Sequence, residues 1–122
     1  AYCFHSVAGY SAIGKTYSGN SSSDGTYVNL GFRPAWILIK RASGTGSYCI
    51  FDNKMNPNNA VSLMLLADDQ GNQNAGGTSD NLDFLSNGFK LRDNSSGRNG
   101  SGSTYIYMAF GDDNTAKFGN SR

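Results

Sequence analysis

The chain contains no glutamate; all nine of its acidic residues are Asp. Glu is a good helix former, whereas Asp hydrogen-bonds nearby backbone and prefers caps and turns, so this bias disfavours helix. Only one His, two Cys and one Trp are present. Zinc sites draw on more Cys and His than that. A Ser-His-Asp triad would have to take His5 as its base, and no Gly-x-Ser-x-Gly phrase leads into a helix around a nucleophile. His5 alternates with Cys3 and Val7 and reads as a strand residue. No apolar run is long enough for a membrane-spanning helix, and no secretory signal stands at the start. The chain begins at Ala1 rather than Met, which we read as processing, excision or a fragment of something longer. The net charge is +1 and Lys40-Arg41 is the only adjacent basic pair. Neither nucleic acid nor an anionic membrane is expected as partner.

What is abundant is Gly, at sixteen residues, together with Ser and Asn. These residues punctuate short β-branched and aromatic phrases, the composition of half-buried strands between turns. Residues 1–7 read as a first strand, followed by Tyr27-Val28-Asn29-Leu30. Ala35-Trp36-Ile37-Leu38-Ile39-Lys40 is the strongest, launched by Pro34. A Gly-Thr-Gly turn leads from it into Tyr48-Cys49-Ile50-Phe51 as a hairpin. Ser62-Leu63-Met64-Leu65-Leu66 reads as strand, residues 68–80 as a long loop, Leu82-Asp83-Phe84-Leu85 and Phe89-Lys90-Leu91-Arg92 as a pair, and residues 105–110 as the last strand. About eight short strands with a turn near every tenth residue predict an all-β antiparallel β-sandwich or jelly roll. The 122-residue length suits one domain that needs neither metal nor disulfide to fold. Ile37, Ile39, Ile106, Met108, Phe110, Phe84, Phe89 and Leu91 are the expected core. Residues 94–103, nearly all Asn, Ser, Gly and Arg, are expected only to turn the chain.

Sites of chemistry are sparse. Cys3 and Cys49 leave one disulfide open, although a thiol inside a strand usually behaves as a small buried hydrophobe. Asp68-Asp69, Asp112-Asp113 and Asp52-Asn53 offer oxygen ligands of the kind calcium takes, without the spacing of an EF-hand loop. Adjacent carboxylates alternate faces on a strand and do not converge as a glycosidase pair must. No metal, cofactor or enzymatic activity is therefore expected. Aromatic rings stack on apolar sugar faces. Trp36 starts the most apolar strand and is expected in the core, while Tyr10, Tyr17 and Tyr27 lie near Gly/Ser loops. A glycan site, if built, is expected to use Tyr17 and Tyr27 with Asn20 and Asp24 as polar partners. Asn20, Asn94 and Asn99 also begin Asn-x-Ser sequons, read here as loop asparagines.

The two ends echo each other: Tyr2-Cys3-Phe4 with Ile13-Gly14, and Met108-Ala109-Phe110 with Phe118-Gly119. Four blocks carry a wider likeness. They are Tyr17-Ser18-Gly19-Asn20; Gly31-Phe32-Arg33-Pro34-Ala35-Trp36-Ile37-Leu38-Ile39-Lys40-Arg41; Asp83-Phe84-Leu85-Ser86-Asn87-Gly88-Phe89-Lys90-Leu91-Arg92; and Asn99-Gly100-Ser101-Gly102-Ser103-Thr104-Tyr105-Ile106-Tyr107-Met108-Ala109-Phe110. Together they resemble the uncharacterised β-rich repeat of tail-fibre-like and other structural proteins of bacteriophage virions. In that family a Thr-Tyr-Ile-Tyr-Met-Ala-Phe phrase closes a repeat and a Tyr-Cys-Phe phrase opens the run into the next. Family members more often carry Trp where this chain has Tyr48-Cys49. The resemblance implies residues 1–16 as the end of a preceding repeat and residues 17–122 as one sandwich domain. It also implies a non-enzymatic structural role in a virion fibre or appendage, outside the cell, among copies of itself in a homo-oligomer. Binding of a host-surface glycan and an extracellular filament built by strand exchange are the alternatives.

Overall fold

The computed structural model describes residues 1–70, 74–75 and 81–111. Among these there is no helix. Nine strands run β1 Ser11–Ser18, β2 Tyr27–Asn29, β3 Pro34–Arg41, β4 Tyr48–Asp52, β5 Leu63–Leu66, β6 Asn74–Ala75, β7 Leu82–Leu85, β8 Gly88–Leu91 and β9 Thr104–Gly111. They form a six-stranded sheet in the order β1-β9-β3-β4-β5-β6 and a three-stranded sheet in the order β2-β8-β7. Every pairing between named strands is antiparallel. The protein is a small antiparallel β-sandwich, as its strand-and-turn pattern predicts.

The core lies between the sheets. The large sheet contributes Tyr17, Ile37, Ile39, Cys49, Phe51, Met64, Tyr105, Tyr107 and Ala109; the small sheet contributes Val28, Leu82, Phe84, Phe89 and Leu91. Tyr17 stacks on Tyr105 at 5.2 Å between centroids, and Phe89 from the opposite sheet meets Tyr107 edge-on at 5.4 Å. Such aromatic pairs add to plain area burial.

Five of the expected core residues, Ile37, Ile39, Phe84, Phe89 and Leu91, are buried. Ile106, Met108 and Phe110 are not: Ile106 is 38% exposed and the other two are half-buried. On β9 the inward set is Tyr105, Tyr107 and Ala109, one residue out of step with the expectation. A strand alternates faces at every residue, so this offset turns its whole apolar set outward.

Residues 1–6 form no strand, and Val7 makes only an isolated bridge to Ser11. The first strand is instead β1, where the alternation is interrupted by a bulge. The register with β9 shifts between Ile13 and Lys15, and Gly14 holds a φ of +66°. That left-handed conformation is one glycine adopts without penalty. A domain boundary between residues 16 and 17 falls inside β1, which pairs with β9 along its length, so residues 11–16 are part of the sandwich. β6 lies inside the stretch read as loop. Cys3 and Cys49 form no disulfide; Cys3 is exposed and Cys49 is buried.

Phe89 and Phe110 should separate in a mutational test. Phe89→Ala is expected to cost about 3–5 kcal/mol, the range for emptying an aromatic core site. Phe110→Ala is expected to cost about half that, because its ring is only partly removed from water. Denaturant titration of the two variants measures the difference.

Candidate functional site

Two regions concentrate side chains beyond what closing a core requires. One is a polar cluster at the end of the sandwich where β1 leaves and β9 enters. The other is the outer face of the six-stranded sheet.

The polar cluster is built by Asp93 and residues 94–103, the tract expected only to turn the chain. Asn99 is fully buried, Arg98 is 4% exposed and Asp93 is 2% exposed. The Asn99 carboxamide spreads its N–H groups over the Asp93 carbonyl at 2.7 Å, the Ser22 carbonyl at 2.9 Å and Asn20 Oδ1 at 3.0 Å. Its Oδ1 accepts from the Asn20 backbone N–H at 3.0 Å, and its own carbonyl accepts from the Ser21 N–H at 2.6 Å. Gly19 fits beneath this tract because a Cβ there would run into the Gly100 carbonyl and Asn99 backbone. Arg98 Nε lies 3.3 Å from Asp93 Oδ2 in a buried ion pair, while Arg98 Nη1 reaches the Met64 sulfur at 3.3 Å. Tyr105 Oη donates to the Ser96 carbonyl and accepts from the Gly100 N–H.

The residues expected to bind a glycan sit around this cluster. Tyr17 is not a surface tyrosine. It is 8% exposed, and its hydroxyl donates to the Arg98 carbonyl at 2.7 Å. β1 carries it inward opposite Tyr105. Burial pushes its phenol well above the ordinary value near 10. Asn20 spends its side chain on the loop: Oδ1 accepts from the Ser22 N–H and from Asn99, and Nδ2 donates to the Asp24 carbonyl. Asp24 pairs with Lys90 at 2.7 Å and with Arg92 at 3.7 Å, and the hydrogen bond from Lys90 holds its carboxyl below the usual value. Tyr27 is 42% exposed, on the edge strand opposite Lys90. Of the four, Tyr17 lies in the core, whereas Asn20, Asp24 and Tyr27 lie at the surface. Asn99, which begins a sequon, is an interior residue. Its Asn-Gly-Ser context is indistinguishable from a loop until the neighbouring chain is placed around it.

The outer face of the large sheet has the opposite character. Residues directly opposite in register share a face. Ile13, Met108, Leu38, Ile50 and Leu65 stand in one row across β1, β9, β3, β4 and β5. Trp36 beside Phe110 makes a second row, and Ile106, Lys40 and Tyr48 a third. Trp36, expected in the core, lies here against Phe110, with ring centroids 5.8 Å apart. Phe4 and Tyr10 close over the Phe110 end, at 5.8 and 6.2 Å. His5 is exposed in that covering segment, and its carbonyl accepts from Ser11 Oγ. Beyond it opens a groove of about 360 Å³ lined by Ile13, Leu38, Ile106, Met108, Tyr48 and Lys40, with Gly14 at its edge. Lys40 is held down by the Gly46 carbonyl and lies over the Tyr48 ring.

The small sheet's outer face supplies the contrast. There Asp83 stands opposite Lys90, and Arg92 reaches Asp83 Oδ2 at 2.6 Å. That is the polar exterior normal for an antiparallel sheet packed on one side. The large sheet carries apolar side chains on both faces, with Ser11, Thr16, Lys40 and Asp52 the polar members of the outer rows.

A family model for a domain of unknown function, DUF7483, matches residues 1–113, and the chain belongs to that family. No curated protein and no solved structure matches it. No cluster of three metal-ligating side chains occurs among the described residues, and Asp112-Asp113 lies outside them.

The polar cluster yields two expected outcomes. Asn99→Ala should cost about 3 kcal/mol or more by denaturant titration, since it strands several buried partners. Raising the pH above 10 should erode stability, because the unfolded chain releases the Tyr17 proton while the folded one retains it. Tyr17→Phe should therefore flatten the alkaline limb of a stability-versus-pH curve. Tyr107, also raised by burial, leaves a residual slope.

Proposed function

We propose that this domain is a non-enzymatic structural module of a virion fibre or appendage, serving assembly and display through contact with copies of itself. The observation that carries the reading is the apolar row across five strands on the outer face of the large sheet. With the Ile106–Lys40–Tyr48 row it makes a patch of the order of 300 Å², taking ordinary strand spacing and rise; Phe4 and Tyr10 cover the Trp36–Phe110 row. Contiguous apolar surface of that size marks an interaction site on a soluble protein. The likeness of the Phe32–Arg41 and Asn99–Phe110 stretches to phage virion repeats supplies the biological setting. Glycan recognition draws no support from the loop around Asn20, whose polar groups are committed to one another and to Asn99.

The purified domain is expected to associate as its concentration rises, which sedimentation velocity would follow. Met108→Lys places a charge in the middle of the row and should shift the population to monomer, with an unchanged circular dichroism spectrum. A wild-type protein that stays monomeric into the millimolar range would remove the basis for the assembly role.

A further inference from the structure

We infer that the groove beside Gly14 receives the N-terminal segment of a second copy, with Tyr2 as the inserted side chain. This rests on the assembly reading and names the contact that would carry it. Three observations bear on the choice of occupant.

The surface is concave where it is open. Gly14 presents no side chain, and a Cβ built on it would meet nothing within 4 Å. The groove's walls are almost wholly apolar, and its one charged group, Lys40, is already held by Gly46 and Tyr48. A hollow of this kind fits a projecting ring better than it fits a second flat sheet.

The chain itself carries the matching knob. Tyr2 is 95% exposed and Phe4 55% exposed, on a segment in which residues 1–6 form no strand. Phe4 is engaged with Phe110 of its own copy, whereas Tyr2, nine positions before β1, is left almost wholly exposed.

The segment and the face already fit each other in cis. Ser6 Oγ accepts from the Ile13 N–H at 2.9 Å, and Ser11 Oγ accepts from the Val7 N–H at 3.0 Å. Phe4 meets Phe110 edge-on. These contacts fix residues 4–7 over the Phe110 end of the face and send Tyr2 away from the copy that bears it. The inserted ring would extend, in the next copy, the same aromatic and apolar surface that Phe4 covers in its own. Donor and acceptor surfaces differ, so the contact either closes as a dimer by reciprocal exchange or propagates as a ring or an open filament.

Complementation between two full-length variants tests this. Tyr2→Ala keeps the groove and loses the knob; Ile106→Asp keeps the knob and spoils the groove. Each alone should self-associate at least about 30-fold more weakly than wild type, the usual scale for truncating an anchor residue. Mixed in equal amounts, the two should recover one good contact per pair and stop at the heterodimer, seen as a discrete species by sedimentation velocity. If Tyr2→Ala associates like wild type while Ile106→Asp does not, the groove is covered by another part of the second copy. The assembly reading then stands and this inference falls. If both variants are impaired but the mixture stays monomeric, the contact is not head-to-tail and the inference also falls. If wild type never associates, both readings fail together. Circular dichroism confirms that each variant is folded.

Discussion

One carboxamide, that of Asn99, joins three pieces of chain at one end of the sandwich: the exit of β1 through Asn20 and Ser22, the exit of β8 through Asp93, and the entry to β9. The named strands have ended there, and only the isolated Gly19–Ser101 bridge and a few backbone hydrogen bonds join the pieces directly. Buried away from water, each donor and acceptor would cost free energy comparable to a lost hydrogen bond. A single planar group with both donors and acceptors satisfies them at once. The Asp93–Arg98 pair beneath it adds little net stability, because taking two charges out of water offsets most of their attraction. Its effect is to hold the tract in one geometry, so that the hydroxyls of Tyr17 and Tyr105 meet fixed backbone partners. The aromatic core is thus aligned from its polar end.

The two sheets then take their characters from what faces them. The small sheet seals the core with Val28, Phe84 and Phe89 and sets Lys90 and Asp83 on its outer face, where Asp83 is buried against Arg92. The large sheet has more strands than the small one can cover. Its outer rows remain apolar, and residues 4–10 shield only the end around Phe110 and Trp36. An apolar exterior left partly bare is the feature on which the proposed assembly role rests.

Much of the architecture was legible. Ile37 and Ile39 alternate within a phrase bounded by Pro34 and a glycine turn, and the β7–β8 hairpin announces itself through Ser86-Asn87-Gly88. β9 was legible as a strand but not in its facing. Ile106, Met108 and Phe110 are the more apolar set, so alternation points them inward; the tyrosines take the inner face instead because a buried hydroxyl such as that of Tyr105 finds partners in Ser96 and Gly100. Residues 1–7 alternate well yet have no partner strand. β1 does have one, but its Gly14 and Lys15 break the pattern at the bulge. The interior position of Asn99 left no trace at all, because a buried amide and a loop amide share the same neighbours in sequence. That also explains why Tyr17, flanked by glycine and serine, read as a surface residue.

The bulge at Gly14 has a consequence for solubility. β1 is an outer strand of the large sheet; Val7 and Ser6 occupy its rim at Ser11 and Ile13, and beyond them the rim invites strand stacking of the amyloid kind. A strand laid against it would have to reproduce the register offset between Ile13 and Lys15 while passing an exposed lysine. A molecule with so much bare apolar surface needs such a safeguard, and this one carries it within a single residue's backbone.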